Sequence, residues 1–237
     1  MSGVAKGLSL VAGGAVSGFA GRDGCAPAEA GAQAGWTLPR PANPTLSELF
    51  AASPRDSGWA GFLLPQVDSS KPVLWVQERM AILESGRIYP PGLGTDIVHV
   101  EARDARAALW AMEEGVRCSA LSAVIGELWG DPAALDFTAT RRLAVASERN
   151  QVPCWLVRLG GTANLSGARM RWRVASAPSL ANPLDMRAPG LPAWDVELFR
   201  ARGHQPGRWI PAHEADSFHL VADAAHRALG EGQRLTA

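Results

Sequence analysis

The fold is decided by the stretch Ser53-Pro54-Arg55-Asp56-Ser57-Gly58-Trp59-Ala60. It follows an apolar, strand-like run from Leu46 to Ala51 and precedes a short helix-like run from Gly61 to Leu64. A loop between a buried strand and a helix is where nucleotide-binding α/β proteins carry the phosphate-binding motif G-x-x-x-x-G-K-[ST]. The position of the stretch therefore makes it a candidate for such a loop.

The stretch keeps one glycine of that motif and loses the residues that carry its chemistry. Gly58 occupies the second glycine position and Ser53 the first, whereas Trp59 replaces the lysine and Ala60 the serine or threonine. In a working loop the lysine reaches the β- and γ-phosphates and the hydroxyl holds magnesium. Tryptophan carries no positive charge and alanine cannot ligate a metal. We therefore predict a degenerate loop that binds no cofactor and no metal, in a protein that is not an enzyme.

The charge balance limits the choice of partner. The chain has 237 residues, with 23 basic and 23 acidic side chains and a net charge of zero. Non-specific DNA binding depends on neutralising phosphates with an excess of basic residues. We therefore expect any DNA contact to be local and secondary to contacts with other proteins.

Cysteine, histidine and the apolar runs exclude several other classes. Cys25, Cys118 and Cys154 are odd in number and widely spaced, so they predict no disulfide framework, and the five histidines show no metal-ligand spacing. The longest uncharged run, Gly7 to Gly21, is too short and too rich in glycine to span a membrane. These patterns favour a cytoplasmic protein without a membrane segment.

The order of patterns along the chain predicts one α/β domain. Residues 1–41 are rich in Ala, Gly and Pro and predict a poorly ordered leader. Apolar strand-like and helix-like runs then alternate from Leu46 to Leu159, which indicates a mainly parallel sheet covered on both faces. After Arg169 the polar and apolar residues alternate, as in Met170 to Ala177, and this pattern predicts antiparallel additions.

The domain is expected to end near residue 212. We predict that residues 213–237 form a final helix and a tail. The helix would run from Asp216 to Gly230, and its apolar positions recur on one face. These positions are Phe218, Val221, Ala225 and Leu229.

In this order the segments resemble the core of RecA, a P-loop ATPase. Glu78 falls where a RecA-like ATPase keeps its water-activating glutamate, and Glu127 where it keeps the acid at the end of the Walker B strand. Without the loop lysine we interpret both as polar strand ends that face solvent or cap a neighbouring helix. The loop from Gly160 to Arg169 falls where RecA carries its second DNA-binding loop, in a much shorter form.

A more specific resemblance is to the ImuA family, the RecA-like member of the damage-inducible ImuA/ImuB mutagenesis cassette of bacteria. It covers about residues 42–212 in the same linear order. The runs that carry it are Leu46–Phe50, Val73–Gln77, Tyr89–Leu93, Ala107–Glu114, Arg141–Leu143, Arg171–Val174 and Glu197–Gly203.

The resemblance implies an accessory role in translesion DNA synthesis during the SOS response. The implied partners are an ImuB-type polymerase homologue and an error-prone replicative-type polymerase, with self-association or contact with RecA as further candidates. Two alternatives stay open. One is a cell-division inhibitor of the SulA kind, which shares the degenerate RecA-like core. The other is a RecA-like NTPase with an unconventional site.

Five arginines are candidates for contact with DNA or a partner. Arg141 and Arg142 lie on the predicted helix from Thr138 to Asn150, where they could equally be solvated or paired with acids. Arg169, Arg171 and Arg173 follow the glycine loop, and the last two project from one face of a strand. That geometry suits phosphate contacts, and it equally suits a charged edge strand that blocks aggregation.

Overall fold

The computed structural model describes residues 38–180, 182, 184–185, 187–214 and 217–223. The strands within these ranges are β1 (Leu46–Ala51), β2 (Val73–Glu78), β3 (Ile97–Ala102), β4 (Ala123–Trp129), β5 (Cys154–Leu159), β6 (Met170–Ala177), β7 (Ala193–Ala201), β8 (Gly207–Glu214) and β9 (Ser217–Asp223). The helices are α1 (Gly58–Leu63), α2 (Arg79–Ser85), α3 (Ala105–Gly115) and α4 (Phe137–Asn150). Short 3₁₀ turns lie at Leu64–Gln66 and Pro90–Gly92.

All these strands form one sheet in the order β3-β2-β4-β5-β1-β6-β7-β8-β9. The strands from β3 to β6 in this order pair in parallel, and β7, β8 and β9 add antiparallel pairs. The predicted α/β class, with a mainly parallel sheet and antiparallel additions, is confirmed. The runs that begin near Val73, Ile97, Ala123 and Val152 lie in this one sheet, as expected.

The boundary between parallel and antiparallel pairing lies later than we predicted. β6 is parallel to β1, so the antiparallel part begins with β7. The connection from Gly160 to Arg169 explains this, because it runs back from the carboxyl edge of the sheet to the amino edge. There the backbone N–H of Arg169 donates to the Leu46 carbonyl at 2.9 Å. Ten extended residues are long enough to span a strand of six.

Helices cover both faces of the parallel part. Trp59 and Phe62 of α1 and Ala81 of α2 belong to the core on one face. Met112 of α3 and Leu143 of α4 belong to the core on the other face. The sheet is therefore buried between two helical layers, which is why its central strands read as continuous apolar runs.

Side-chain caps set where the two long helices begin. The Asp104 side chain accepts a hydrogen bond from the Ala107 backbone N–H at 2.8 Å. Asp136 does the same for Ala139 at 2.7 Å. α4 ends at Asn150, because the next residue, Gln151, has a φ of 58° and adopts the left-handed conformation that stops helices.

Two predictions at the ends of the domain are wrong. The helix predicted from Asp216 is a strand over Ser217–Asp223, where β9 pairs with β8; the rest of that prediction lies outside the described residues. A short apolar run fits either structure by pattern alone, and the open edge of β8 supplies backbone partners for a strand. Leu38, placed in the predicted leader, is buried in the core, so the folded domain begins before residue 42.

Candidate functional site

The loop between β1 and α1 is held by its own carboxylate. Asp56 Oδ1 accepts hydrogen bonds from the Gly58 backbone N–H at 2.9 Å and from Ser176 Oγ at 2.5 Å. Asp56 Oδ2 accepts one from the Ser176 backbone N–H at 2.7 Å. Partial burial alone would raise the pKa of Asp56, but the hydrogen bonds from Ser176 and Gly58 lower it below its ordinary value. In a phosphate-binding loop such backbone N–H groups donate to the phosphate, whereas here the Gly58 N–H donates to the Asp56 carboxylate.

Close packing, without any phosphate, explains why position 58 is a glycine. A Cβ atom at this position would lie 2.1 Å from Ser176 Oγ. The hydroxyl cannot move away freely, because it is hydrogen-bonded to Asp56. The second glycine of the motif is therefore explained by the close approach of the loop to the end of β6.

The residue at the lysine position, Trp59, points into the core. Its side chain is 5% exposed, and its ring centroid lies 5.9 Å from that of Trp75 on β2. On the other side of α1, Trp194 Nε1 of β7 donates to the Gly58 carbonyl at 2.6 Å. α1 is thus fixed between the two halves of the sheet, and its first turn carries an aromatic side chain in place of a cation.

A cavity of about 150 Å³ lies beside this loop, at the carboxyl ends of β2 and β4. One wall consists of Pro54 to Ser57 with Trp59 and Ala60, and the opposite wall is the segment from Ser85 to Tyr89 with Leu93. Trp75, Gln77 and Glu127 form the floor. Clefts at the carboxyl edge of an α/β sheet are the usual location of ligand sites.

The floor is a closed hydrogen-bond network around a buried carboxylate. Glu127 is 2% exposed; its Oε1 accepts from Trp75 Nε1, and its Oε2 accepts from Gln77 Nε2 at 3.1 Å. Burial without a cationic partner raises the pKa of Glu127 to about 7, although the two hydrogen bonds act in the opposite direction. A magnesium-binding acid requires the ionised form, so this environment disfavours the role that the RecA resemblance assigned to Glu127.

Gln77 connects the floor to the wall. Its Nε2 also donates to the Gly86 carbonyl at 3.1 Å, and its Oε1 accepts from the Ile88 backbone N–H at 3.1 Å. His99 Nε2 lies 3.0 Å from the same oxygen. Burial, together with the nearby Arg87, lowers the pKa of His99 and so favours the neutral ring. The side-chain amide of Gln77 thus makes hydrogen bonds that fix the segment around Gly86 and Ile88 to the floor of the cavity.

Glu78 also has a structural role. It is 6% exposed, and its Oε2 accepts a hydrogen bond from the Trp129 backbone N–H at 2.9 Å. This bond joins the carboxyl ends of β2 and β4. We predicted that Glu78 and Glu127 face solvent or cap a neighbouring helix. Both are buried, so they do not face solvent. Glu78 is the N-cap residue of α2, but its side chain makes no capping hydrogen bond there.

Arg171 is buried, in contrast to its predicted place at the surface. It is 4% exposed, and its Nε donates to Glu48 Oε2 at 2.6 Å. Its guanidinium lies over the rings of Phe50 and Phe199, at 5.3 and 5.2 Å from their centroids. The pattern missed this because Glu48 lies on β1, far away in sequence. In this conformation Arg171 is not available to DNA or a partner.

Arg173 and Arg169 have partners but remain partly accessible. Arg173 lies on the same face of β6 as Arg171, as predicted, with its guanidinium 4.2 Å from the Phe199 ring centroid. Its Nη1 donates to Glu197 Oε2 at 2.9 Å. Arg169 Nε donates to Glu148 Oε1 at 2.6 Å and Nη2 to Glu148 Oε2 at 3.2 Å. Both stay candidates for contact with a partner.

Arg141 and Arg142 lie on the exposed side of α4. Arg142 Nη2 is 3.3 Å from Glu113 Oε2 on α3, in an exposed ion pair. Arg141 has no ion-pair or hydrogen-bond partner for its side chain within the described ranges. The five predicted arginines therefore lie in different places. Arg141 and Arg142 are on α4, Arg171 and Arg173 are on β6, and Arg169 lies just before β6, paired with Glu148 of α4.

The connection from Gly160 to Arg169 is anchored by hydrogen bonds near both of its ends. Asp131 Oδ1 accepts from the Thr162 backbone N–H at 3.0 Å, and Asp131 Oδ2 accepts from Thr162 Oγ1 at 2.7 Å. Further along, the Gly167 backbone N–H donates to Thr140 Oγ1 at 3.0 Å. The connection therefore packs along α4.

The sequence pointed to the loop and to Glu127, but not to Trp75 and Gln77, which complete the floor of the cavity. Trp75, Gln77 and Glu127 come together because β2 and β4 pair in the register Gln77↔Glu127 and alternate residues share a face. The alternation of residues along each strand can be read from the sequence, and it would place these three side chains together once the register between β2 and β4 was known. The Asp56–Ser176 contact carries no comparable signal, because it joins a loop to a distant strand.

Metal-binding clusters and membrane-spanning helices are absent from the described part of the chain. Across the ranges that the structure describes, no group of three or more His, Cys, Asp or Glu side chains could hold a metal ion. In the same ranges no helix has the length and apolar content needed to cross a membrane.

Comparison with known proteins gives the family. No protein-family model matches the chain. The proteins named Protein ImuA from two strains of Caulobacter vibrioides are each 34% identical to it over 172 residues. The matched region covers 65% of this chain and 67% of each relative. Identity of this extent over two thirds of the relatives reflects common descent, and the chain therefore belongs to the ImuA family.

Proposed function

We propose that this protein is a non-catalytic, RecA-like accessory protein in damage-induced translesion DNA synthesis, the ImuA/ImuB mutagenesis system. The observation that carries the proposal is the state of the loop between β1 and α1. A buried tryptophan stands at the position of the phosphate-binding lysine, and the Asp56 carboxylate engages the Gly58 amide. The fold thus keeps the position of a nucleotide site without the groups that bind a nucleotide.

The strand and helix order supports a RecA-like core. The chain passes from β1 through the degenerate loop to α1 and β2, which ends in Glu78. β1 lies between β5 and β6 in the interior of the sheet, so its loop opens at the carboxyl edge, where α/β proteins bind ligands. The RecA resemblance was drawn from this order of segments, and its strands lie in one sheet.

The charge of the loop argues against nucleotide binding. A working loop supplies a lysine ammonium and backbone amides to the phosphates. Here Asp56 carries a negative charge in the loop, and its lowered pKa keeps that charge at neutral pH. Each charge-assisted hydrogen bond to a phosphate contributes about 1.5–3 kcal/mol, so losing the lysine and hydroxyl contacts weakens binding by roughly two decades or more.

A calorimetric titration tests the non-catalytic part of the proposal. Magnesium-ATP added to the purified full-length protein should give no binding at micromolar concentration, and a phosphate-release assay should show no hydrolysis. A low-micromolar dissociation constant would contradict the proposal and favour the unconventional NTPase.

The proposed partners are an ImuB-type polymerase homologue and an error-prone replicative-type polymerase, met in the cytoplasm. A protein with zero net charge has no long-range field that attracts DNA, whereas a protein contact needs only a shaped local surface. Self-association or contact with RecA would fit the same mode of action, and DNA contact is secondary.

Salt dependence distinguishes the two kinds of partner. We expect binding to the purified ImuB-type protein to persist at high salt, whereas any binding to DNA should be lost, because it depends on counterion release. The measurement is a pull-down and a DNA titration, each at low and at high salt. Tight, salt-resistant DNA binding without a protein partner would overturn the assignment. Binding to a cell-division protein in place of the polymerase homologue would favour the SulA-like alternative.

A further inference from the structure

The exposed side of α4 carries apolar and basic residues in one row. Phe137, Arg141, Val145 and Arg149 recur every four residues and therefore follow one another along the helix surface. Phe137 is 39% exposed and Val145 49% exposed. Leu165, on the connection that packs along α4, is 69% exposed. We call these five residues the α4 face.

The connection is held against the helix, so the α4 face has a defined shape. The Gly167 backbone N–H donates to Thr140 Oγ1 at 3.0 Å, and a Cβ atom at Gly167 would lie 2.6 Å from the Cα of Arg141. The contact is so close that only glycine fits at position 167. Leu165 and the helix surface are therefore fixed relative to each other before any partner binds.

The α4 face has an excess of positive charge. Within the described ranges the Arg141 and Arg149 side chains have no ion-pair or hydrogen-bond partner. The one acidic side chain on the exposed side of α4 after its cap is Glu148, and it already accepts hydrogen bonds from Thr45 and Arg169. Since the whole chain has no net charge, this excess is local.

We propose that the α4 face binds an acidic amphipathic segment of a protein partner. Aliphatic side chains of that segment would cover Phe137, Val145 and Leu165, and its carboxylates would pair with Arg141 and Arg149. Apolar anchors flanked by complementary charges are typical of helix-in-groove recognition between proteins. A surface for the DNA backbone would instead present basic and polar groups, with no need for three exposed apolar side chains.

This inference rests on the proposed function, because it assigns the surface that the ImuB-type homologue contacts. The test uses the full-length protein with Val145→Ser and Arg141→Glu combined, both at exposed positions. Binding to the purified ImuB-type homologue should weaken at least tenfold, and Arg141→Lys alone should retain it. A matched control, Leu184→Ser with Arg187→Glu, changes one exposed apolar and one exposed basic residue on the connection between β6 and β7 and should bind within twofold of the wild type.

The outcomes separate this inference from the proposed function. If the wild type binds the homologue and the α4 variant binds equally well, the α4 face is not the site, although the proposed function stands. If the wild type does not bind the homologue, both proposals are wrong. If the α4 variant loses binding to single-stranded DNA and keeps binding to the homologue, the face belongs to a nucleic-acid site. Circular dichroism and thermal unfolding of each variant verify that a loss of binding does not come from loss of the fold.

Discussion

Two buried clusters in the same sheet hold a carboxylate in different ways. On the face covered by α1 and α2, Glu127 has only the neutral donors Trp75 and Gln77, and its pKa is raised to about 7. On the face covered by α3 and α4, Glu48 is wholly buried between the guanidinium groups of Arg171 and Arg158, at 2.6 and 3.9 Å. The Glu127 cluster lines the cavity beside the degenerate loop, and the Glu48 cluster joins β1, β5 and β6.

The difference determines which perturbation should destabilise each cluster. A carboxylate with neutral donors can take up a proton and lose its charge. Glu48 instead lies beside two buried guanidinium groups, which would lose their shared negative partner if the carboxylate were removed. The Glu127 cluster is therefore sensitive to pH, and the Glu48 cluster is sensitive to removal of one charge. Neither arrangement provides a free cation for a phosphate.

The largest effect is expected from Trp59→Lys, which introduces a lysine at the position that it has in the phosphate-binding motif. Trp59 packs on Trp75 above Glu127, so the variant loses a buried aromatic side chain and places an ammonium group in the core. The free energy of unfolding, measured by urea denaturation, should fall by about 5 kcal/mol or more. We expect no gain of ATP binding.

The control for this variant is Trp110→Lys on α3, where the tryptophan is 65% exposed. It should change the free energy of unfolding by less than about 1 kcal/mol. If Trp59→Lys is as mild as the control, Trp59 is not the core residue that this structure shows.

Glu48→Gln should come next in size. It leaves Arg171 and Arg158 buried without their shared negative partner, and breaking a buried ion pair in this way costs about 3–5 kcal/mol. The matched control is Glu197→Gln, which removes the partner of Arg173 in an exposed pair and should cost about 0–1 kcal/mol. Equal losses in the two variants, measured by urea denaturation, would show that burial does not distinguish these pairs.

The pH dependence of stability should identify Glu127. Its pKa is about 7 in the folded protein and ordinarily 4.5, so the folded state binds more protons than the unfolded state between these two pH values. The free energy of unfolding should therefore fall as pH rises from about 4.5 to about 7, by roughly 3 kcal/mol from this group. Glu127→Gln should remove that part of the dependence. Identical pH profiles for wild type and variant would mean that the pKa of Glu127 is not raised.

The smallest effect concerns the contact between the loop and β6. Gly58→Ala places a Cβ atom against Ser176 Oγ and should cost about 1–3 kcal/mol through overpacking. Ser176→Ala removes the hydroxyl that is in the way and should cost about 1 kcal/mol through its lost bond to Asp56. The double variant should lose less free energy of unfolding than the sum of the losses in the two single variants. Strict additivity would show that the Gly58 and Ser176 sites are not in contact.

The sequence predicted the local elements well, because their patterns are local. β1 and β6 have the bounds that the apolar and alternating runs indicated. The loop that contains Asp56 lies between β1 and α1, as its flanking runs predicted. The ImuA resemblance, drawn from runs spread over residues 42–212, is confirmed by the curated relatives.

The sequence alone therefore determined the type and place of most elements and the family. Tertiary structure alone decided that β6 is parallel, that residues 217–223 form a strand, and that Arg171 is buried on Glu48. It also decided that Asp56 holds the loop on Ser176 and that Glu127 lies under Trp59 and Trp75. Propensity and periodicity act over a few residues, whereas burial and charge pairing depend on strands that are distant in sequence and adjacent only in the sheet.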